Sequence, residues 1–305
     1  MAVAAEGSAA PRAKGAAKTS FLQSDEAKGY ALISPPFLYA ALMLGLPILV
    51  VIAHSFWTQN YLEIDRTFTL ENYRQAIFEP IYQDLLVRSL LISFAVSVLT
   101  VALAYPVAYF ISFHGGRHKN LWLFVITIPF WTSYLLRVMA WKVVLGFNGV
   151  LNSGLLGLGI IDEPSTALLY NSTAVLITLT HAWVAFAILP IYVSLEKVDR
   201  TLIEAATDLG DGPIRSFLRV TLPLSLPGVT AALLIVMIPT VGDYVTPRLV
   251  GGSDGVMIAN AIQAQFGRAM NKPLGAALSV TTMIAVCAMA GATVLALRAA
   301  VRAFR

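Results

Sequence analysis

Six long windows of the chain contain no Asp, Glu, Lys or Arg. These windows are 29–62, 89–116, 120–136, 164–195, 220–242 and 273–297. Each contains about 17–25 mostly apolar residues, enough for a helix to cross roughly 30 Å of hydrocarbon. Charged residues make up only 12% of the 305 residues, about half the roughly 25% of soluble domains. So few charges could not cover one soluble core of this size, and the sequence predicts a polytopic membrane protein.

The apolar windows predict six transmembrane helices, and the fold class is therefore all-α. The predicted spans are about 37–56, 89–113, 120–143, 172–195, 224–247 and 275–297. A β-barrel is disfavoured because the apolar runs are continuous, whereas barrel strands alternate every second residue. We expect one membrane domain over residues 31–305, preceded by a disordered tail at 1–30 that is rich in Ala, Gly, Lys and Ser.

The distribution of Lys and Arg predicts the orientation of the spans, because positive charge is enriched in short cytoplasmic segments. If the N-terminus is cytoplasmic, thirteen fall in inner segments: Arg12, Lys14, Lys18, Lys28, Arg117, Lys119, Lys197, Arg200, Arg215, Arg219, Arg298, Arg302 and Arg305. Six fall in outer segments: Arg66, Arg74, Arg88, Arg248, Arg268 and Lys272. Both termini are therefore expected in the cytoplasm.

The segment 204–228, EAATDLGDGPIRSFLRVTLPLSLPG, interrupts the apolar pattern on the predicted cytoplasmic side. Ala205 and Ala206 favour a short helix over residues 204–209. Gly210 can adopt the left-handed conformation that ends such a helix. This pattern predicts a surface helix that a partner protein could approach closely.

A second helix is predicted directly after this turn. Pro213 suits the first turn of a helix, and Asp211 is placed to cap it. The apolar residues that follow lead this helix into the fifth span. Two readings remain open on these residues alone: a docking element for a cytoplasmic partner, or an ordinary amphipathic connection between two spans.

The order Glu-Ala-Ala at 204–206, then Gly210, then Leu222-Pro223 resembles the EAA loop of permeases of ATP-binding-cassette (ABC) importers. Other stretches resemble the polyamine (spermidine/putrescine) branch of that family: PFWTSYLLRVMAW from Pro129, FNGVLNSGL from Phe147, SLEKVDRTLIEAATDLG from Ser194 and GDYVTPRLVGG from Gly242. The resemblance covers roughly residues 60–285. It implies the six-helix fold of type I ABC importer permeases, with the coupling loop at about 196–223.

The resemblance further implies the function and the partners. The chain would be the permease subunit of a bacterial inner-membrane importer, with a second homologous permease, two ATPase subunits and a periplasmic solute-binding protein. ATP and Mg would be bound by the ATPase subunits, so no cofactor, catalytic residue or metal is expected in this chain. Contact with the ATPase is implied for eight residues: Glu204, Ala205, Ala206, Asp208, Leu209, Gly210, Leu222 and Pro223.

Asp243 is the only carboxylate within the predicted spans. A charge at that depth is costly unless it faces water or a partner. One reading is structural: a salt bridge with Arg248 or Arg137, or a cap for a helix broken by nearby glycine and proline. The other is functional: Asp243 and Tyr244 line a path for a cationic cargo. Two aromatic residues would then offer cation–π surfaces: Trp131 and Tyr134.

Three alternative functions remain beside polyamine transport. Permeases for opines, phosphonate, iron or sulphate share much of this framework, and many relatives have Glu in place of Asp243. An ion-driven secondary carrier would require a network of ionisable residues inside the membrane. A membrane-embedded enzyme would require a catalytic constellation, and the sequence offers none.

Overall fold

The computed structural model describes residues 25–61 and 63–303 of the chain. The chain divides into two compact units, residues 1–50 and 51–305. The described part of the first unit, residues 25–50, belongs to α1 (Asp25–Ser55). This helix begins inside the predicted tail, of which residues 1–24 lie outside the described residues.

The second unit consists almost entirely of helices. After α1 its elements are β1 (Thr58–Asn60), β2 (Glu63–Asp65), α2 (Glu71–Phe78), α3 (Pro80–His114), α4 (Lys119–Thr127), α5 (Tyr134–Val144), α6 (Val150–Gly157), α7 (Ser172–Leu195), α8 (Arg200–Asp208), α9 (Pro213–Ser216), α10 (Leu222–Val241), α11 (Val245–Val250), α12 (Ile258–Gly267) and α13 (Lys272–Ala303). The strands form one antiparallel hairpin in which Thr58 pairs with Asp65. The sequence analysis did not predict this hairpin.

The core of the second unit lies between α3, α7 and α10, which all pack against one another. Val96 of α3, Leu179 of α7 and Val236 of α10 are fully buried in it. A smaller cluster joins α2, α12 and α13 around Ile258 and Leu278. Helices that are apolar on all sides can bury one face in this way and still present apolar side chains to lipid.

Five helical segments of the described residues are long and apolar enough to cross a membrane. They are Gly29–Ser55, Pro80–His114, Ser172–Leu195, Pro213–Val241 and Lys272–Ala300. The third predicted span, 120–143, is not one continuous helix. Two helical pieces, Gly116–Trp131 and Tyr134–Val144, bend by 85° at Thr132-Ser133. Counted together they make the sixth span.

The break in the third span has a local cause. The short 3₁₀ turn at Ile128–Trp131 contains Pro129, which lacks a backbone N–H to donate. Thr132 and Ser133 then adopt extended backbone with ψ of 149° and 135°, and α5 starts in a new direction. Apolar composition therefore gave the length of this span but not its direction.

The fifth span also differs from its predicted bounds of 224–247. Its helix starts at Pro213, passes through a π-helical turn at Phe217–Thr221 and ends at Val241. Asp243 lies in the three-residue break before α11, so its predicted position inside a helical span is wrong.

Candidate functional site

The loop that carries Glu204 begins with a capped helix. Asp199 is the N-cap of α8, and its carboxylate accepts a hydrogen bond from the backbone N–H of Thr201 at 3.0 Å. This bond favours the ionised carboxylate and lowers the pKa of Asp199. Helix α8 extends over residues 200–208. It starts four residues before the predicted start at residue 204, because this cap fixes its first residue.

The end of α8 is a Schellman motif centred on Gly210. Gly210 has a φ of +91°, which confirms the predicted left-handed conformation. Its N–H donates to the carbonyl of Thr207 at 2.9 Å, and the N–H of Asp211 donates to the carbonyl of Ala206 at 3.0 Å. These two bonds satisfy carbonyls that a helix end leaves free. The turn is therefore fixed by backbone geometry.

The loop presents apolar side chains to solvent at this turn. Leu209 is 88% exposed and Ile214 is 74% exposed. Glu204 and Ala205 are exposed on α8, while Ala206 is buried against the loop itself. Exposed large apolar side chains beside a small one are typical of a surface that another protein covers.

Asp211 does not cap the second helix, so that prediction is wrong. The N-cap of α9 is Gly212, which has no side chain to donate or accept. The Asp211 carboxylate instead accepts two hydrogen bonds from Nη1 of Arg219, at 3.2 and 3.4 Å. The Asp211 side chain therefore pairs with an arginine in the π-helical turn that follows α9.

Leu222 and Pro223 lie apart from the exposed turn. Both are half-buried at the start of α10, directly after the π-helical turn. Two residues later, Ser225 shares a 2.8 Å hydrogen bond with the hydroxyl of Tyr105 on α3. The pair Leu222-Pro223 of the motif therefore lies where the loop joins the core.

Asp243 lies at the other end of α10, which has 20 residues and a length of roughly 30 Å. The hydroxyl of Tyr134 donates to its Oδ2 at 2.5 Å and lies 2.6 Å from Oγ1 of Thr246. Tyr134 is the first residue of α5, and Thr246 belongs to α11. The cluster thus joins the breaks in the third and fifth spans.

Asp243 also caps α11. Its Oδ1 accepts hydrogen bonds from the backbone N–H groups of Val245 at 2.8 Å and Thr246 at 3.3 Å. Within the described residues it forms no ion pair with Arg137 or Arg248. The cap anticipated in the structural reading is present, and both salt bridges anticipated with it are absent.

Arg137 lies on the other side of the same tyrosine. Its guanidinium carbon is 5.9 Å from the centre of the Tyr134 ring and 5.1 Å from that of Phe130. Its Nη1 donates to the carbonyl of Ala182 at 3.3 Å. Tyr134 therefore contacts a guanidinium through its ring and the carboxylate of Asp243 through its hydroxyl.

The other two predicted path residues lie outside this cluster. Trp131 is 80% exposed and makes its ring contact with Phe124, at 6.3 Å. Tyr244 is exposed, and its carbonyl accepts a hydrogen bond from Asn260 at 2.8 Å. Sequence reasoning missed Thr246 and Asn260, since a Thr or Asn in an apolar chain carries no signal of its own.

In this cluster the half-buried carboxylate of Asp243 is available to a cation. The three hydrogen bonds that it accepts all come from neutral donors, and no cation among the described residues forms an ion pair with it. Such a group can attract an organic cation at the membrane interface.

Comparison with known proteins places the chain in a family of transport proteins. The profile described as "Binding-protein-dependent transport system inner membrane component" matches residues 82–303. The spermidine/putrescine transport system permease protein PotB of Escherichia coli K12 is 36% identical over 247 residues, which cover 81% of this chain and 89% of that permease. PotB of Haemophilus influenzae is 36% identical over 238 residues, 77% of this chain and 82% of that protein.

Two solved structures share the fold at low sequence identity. A bacterial ABC transporter that imports the acidic polysaccharide alginate matches with a TM-score of 0.63 and 14% identity, over 91% of this chain and 96% of that chain. The MetNI methionine ABC transporter matches with a TM-score of 0.51 and 18% identity, over 75% of this chain and 100% of that chain. These likenesses confirm the predicted all-α fold of type I ABC importer permeases.

Proposed function

The chain belongs to the binding-protein-dependent transport system inner membrane component family, and we propose that it is the polyamine-translocating permease subunit of a bacterial ABC importer. The observation that supports polyamine as the cargo is the 36% identity to spermidine/putrescine permeases along most of both chains. Permeases for opines, phosphonate, iron or sulphate are the alternatives that a transport assay must separate.

The proposed assembly contains this chain, a second homologous permease, two ATPase subunits and a periplasmic solute-binding protein. ATP and Mg are bound by the ATPase subunits, and this chain hydrolyses no ATP itself. Both termini and the loop with α8 face the cytoplasm, in accord with the excess of Lys and Arg on that side. The cluster around Asp243 then lies towards the periplasm.

The exposed turn between α8 and α9 is the proposed contact with the ATPase. Leu209 and Ile214 supply apolar area there, and Ala205 permits close approach. Closure of the ATPase pair displaces α8, and the helices that follow rock between two arrangements that open to opposite sides.

A paired substitution tests this contact. Leu209→Asp places a charge at a side chain that the fold does not bury, so the chain should still insert while the ATPase no longer co-purifies. Leu158→Asp is the matched control, because Leu158 is also an exposed leucine (75%) and follows α6 at the opposite end. Retention of the ATPase by Leu209→Asp would refute the assigned contact.

The cargo is tested with the whole importer in proteoliposomes. Uptake of labelled spermidine or putrescine should require enclosed ATP and the binding protein. Ionophores should not reduce this uptake, whereas they would abolish transport by an ion-driven carrier. Absence of labelled polyamine uptake, together with ATP-dependent uptake of a labelled opine, phosphonate, sulphate or iron, would assign the alternative cargo.

We propose that Asp243 and Tyr134 line the cargo path, with Tyr244 and Trp131 at its edges. A cation about 4 Å from the carboxylate gains up to about 4 kcal/mol at an effective dielectric of about 20. Asp243→Asn keeps an oxygen that can accept the capping hydrogen bonds but removes the charge, so half-saturation of polyamine uptake should need at least about tenfold more cargo.

Thr246→Val is the matched control for this change. It removes a hydroxyl of the same cluster without changing its charge. It should change half-saturation by no more than about fivefold, because one neutral hydrogen bond contributes only about 1 kcal/mol. Equal uptake by Asp243→Asn and the unaltered protein would make Asp243 a helix cap only.

A further inference from the structure

Arg200 occupies an unfavourable place in its own helix. It is the first residue of α8, where the helix dipole disfavours a positive charge. Its guanidinium instead reaches the C-terminal end of α3. Nη2 lies 3.4 Å from the carbonyl oxygen of Ser112 and 3.5 Å from that of Phe113, and the Phe113 ring centre is 5.6 Å from the guanidinium carbon. A cation is favoured at that end of α3, so Arg200 stabilises α3 rather than α8.

The same turn of α3 is held from a second side by Glu196, the residue after α7. The Ser112 hydroxyl donates to Oε1 of Glu196 at 2.9 Å, and Nζ of Lys119 donates to the same oxygen at 2.6 Å. Partial burial acts to raise the pKa of Glu196, but these two bonds and the nearby charges outweigh it and lower the pKa. The carboxylate is therefore ionised at neutral pH and keeps both bonds. Ser112 itself is only 3% exposed.

The far end of α3 reaches the region of Asp243. The Ser93 hydroxyl donates to the carbonyl of Met237 at 3.1 Å, and the Ser89 hydroxyl accepts from the N–H of Ile258 at 2.7 Å. Ile258 begins α12, whose Asn260 bonds the carbonyl of Tyr244. Helix α3 is continuous over this distance, roughly 35 Å from Ser89 to Ser112.

The backbone does not connect α3 directly to α8. Of the three core helices, α7 leads into α8 through four residues, and α10 follows α8 through α9. A displacement of α8 is therefore carried to α7 and α10 by the backbone. For α3 it must be carried by side chains, and Arg200 is the residue of α8 whose side chain bonds the end of α3.

We propose that Arg200 is a positioning residue for energy coupling: it makes α3 move with α8 as one rigid body, with Glu196 as its support. This role rests on the proposed function, in which α8 is the helix displaced by the ATPase. It adds that the displacement reaches the Asp243 end of the molecule through α3.

A distance measurement tests the rigid connection independently of the cargo. Spin labels are placed at Leu202 on α8 and at Asp84 in the second turn of α3, both exposed, in a Cys287→Ala background. In the whole importer the distance between the labels should be the same without nucleotide and after trapping with ATP and vanadate. In Arg200→Gln the distance should change between these two states.

Two results of that measurement would overturn the proposal. One is a change of distance in the importer that retains Arg200, because α8 and α3 would then move separately. The other is an unchanged distance in Arg200→Gln. Arg117→Gln is the matched control, since Arg117 is exposed beside the same end of α3 and should behave like the original protein.

Transport measurements distinguish coupling from mere folding. Arg200→Gln should keep the ATPase in the complex and its basal hydrolysis, while cargo moved per ATP falls about tenfold, the usual scale for one lost charged hydrogen bond. Arg200→Lys keeps the charge and should lose less. Loss of the ATPase from Arg200→Gln, or full transport by it, would overturn the proposal. Absence of polyamine uptake by the unaltered importer would refute the cargo instead and leave the distance result valid.

Discussion

Gly210 and Gly212 stand two residues apart in the same exposed turn, but their backbones differ. Gly210 has a φ of +91°, whereas Gly212 has a φ of −69° that any residue can adopt. A side chain added at either position would meet open space. The difference between them is therefore one of backbone conformation alone.

This difference predicts unequal outcomes for the same substitution. Gly210→Ala should cost about 1–2 kcal/mol of loop stability, the cost of a left-handed L-residue, and should lower stimulated ATP hydrolysis of the importer. Gly212→Ala should change loop stability by less than about 1 kcal/mol in either direction, because the restriction of the unfolded chain opposes the poorer N-cap preference of Ala. Equal hydrolysis rates of the two variants would contradict the importance of this turn.

Residues of the same loop also show where local rules fail. Asp199 is the N-cap of α8 and forms the expected bond, whereas Asp211 lies one residue before the N-cap of α9 and bonds Arg219. Because the helix begins at Pro213, its N-cap is Gly212, and the Asp211 carboxylate pairs with Arg219 instead.

Helices α7 and α10 cross at Gly228. A Cβ built there would lie 2.4 Å from the carbonyl oxygen of Pro190 and 2.4 Å from Cβ of Ser194, both on α7. The N–H of Gly228 lies 3.3 Å from the Ser194 hydroxyl. The two backbones approach this closely because Gly228 has no side chain.

We therefore expect Gly228→Ala to separate α7 from α10. Overpacking against the opposite backbone should cost about 1–3 kcal/mol or more, visible as a lower melting temperature in detergent. Gly291→Ala in α13 is the control, since its Cβ meets nothing within 4 Å and should raise helix stability by about 0.5–1 kcal/mol. A melting temperature of Gly228→Ala at or above the original would show that the crossing can adjust.

At the scale of the whole molecule, the position of each loop relative to the membrane follows from the orientation proposed above. Asp254 and Thr67 are exposed in segments placed outside, and Thr207 and Arg117 are exposed in segments placed inside. Single cysteines at these four positions, with Cys287→Ala, give a complete test.

In intact spheroplasts, cysteines at 254 and 67 should react with a membrane-impermeant thiol reagent. Those at 207 and 117 should react only after the membrane is opened, because the reagent cannot cross the lipid. Labelling in the reverse pattern would invert the orientation and place α8 on the side away from the ATPase.

The sequence by itself determined the membrane class, the number of spans and the short helix that ends at Gly210. These depend on quantities local to the chain: length of apolar runs, absence of charge, and the need of a helix end for a left-handed residue. Only the tertiary structure decided the 85° angle between the two pieces of the third span, the bond between Tyr134 and Asp243 and the bond from Arg200 to α3. Each of these brings together residues more than 80 positions apart or changes the direction of a helix, and composition carries no information about direction or distant neighbours.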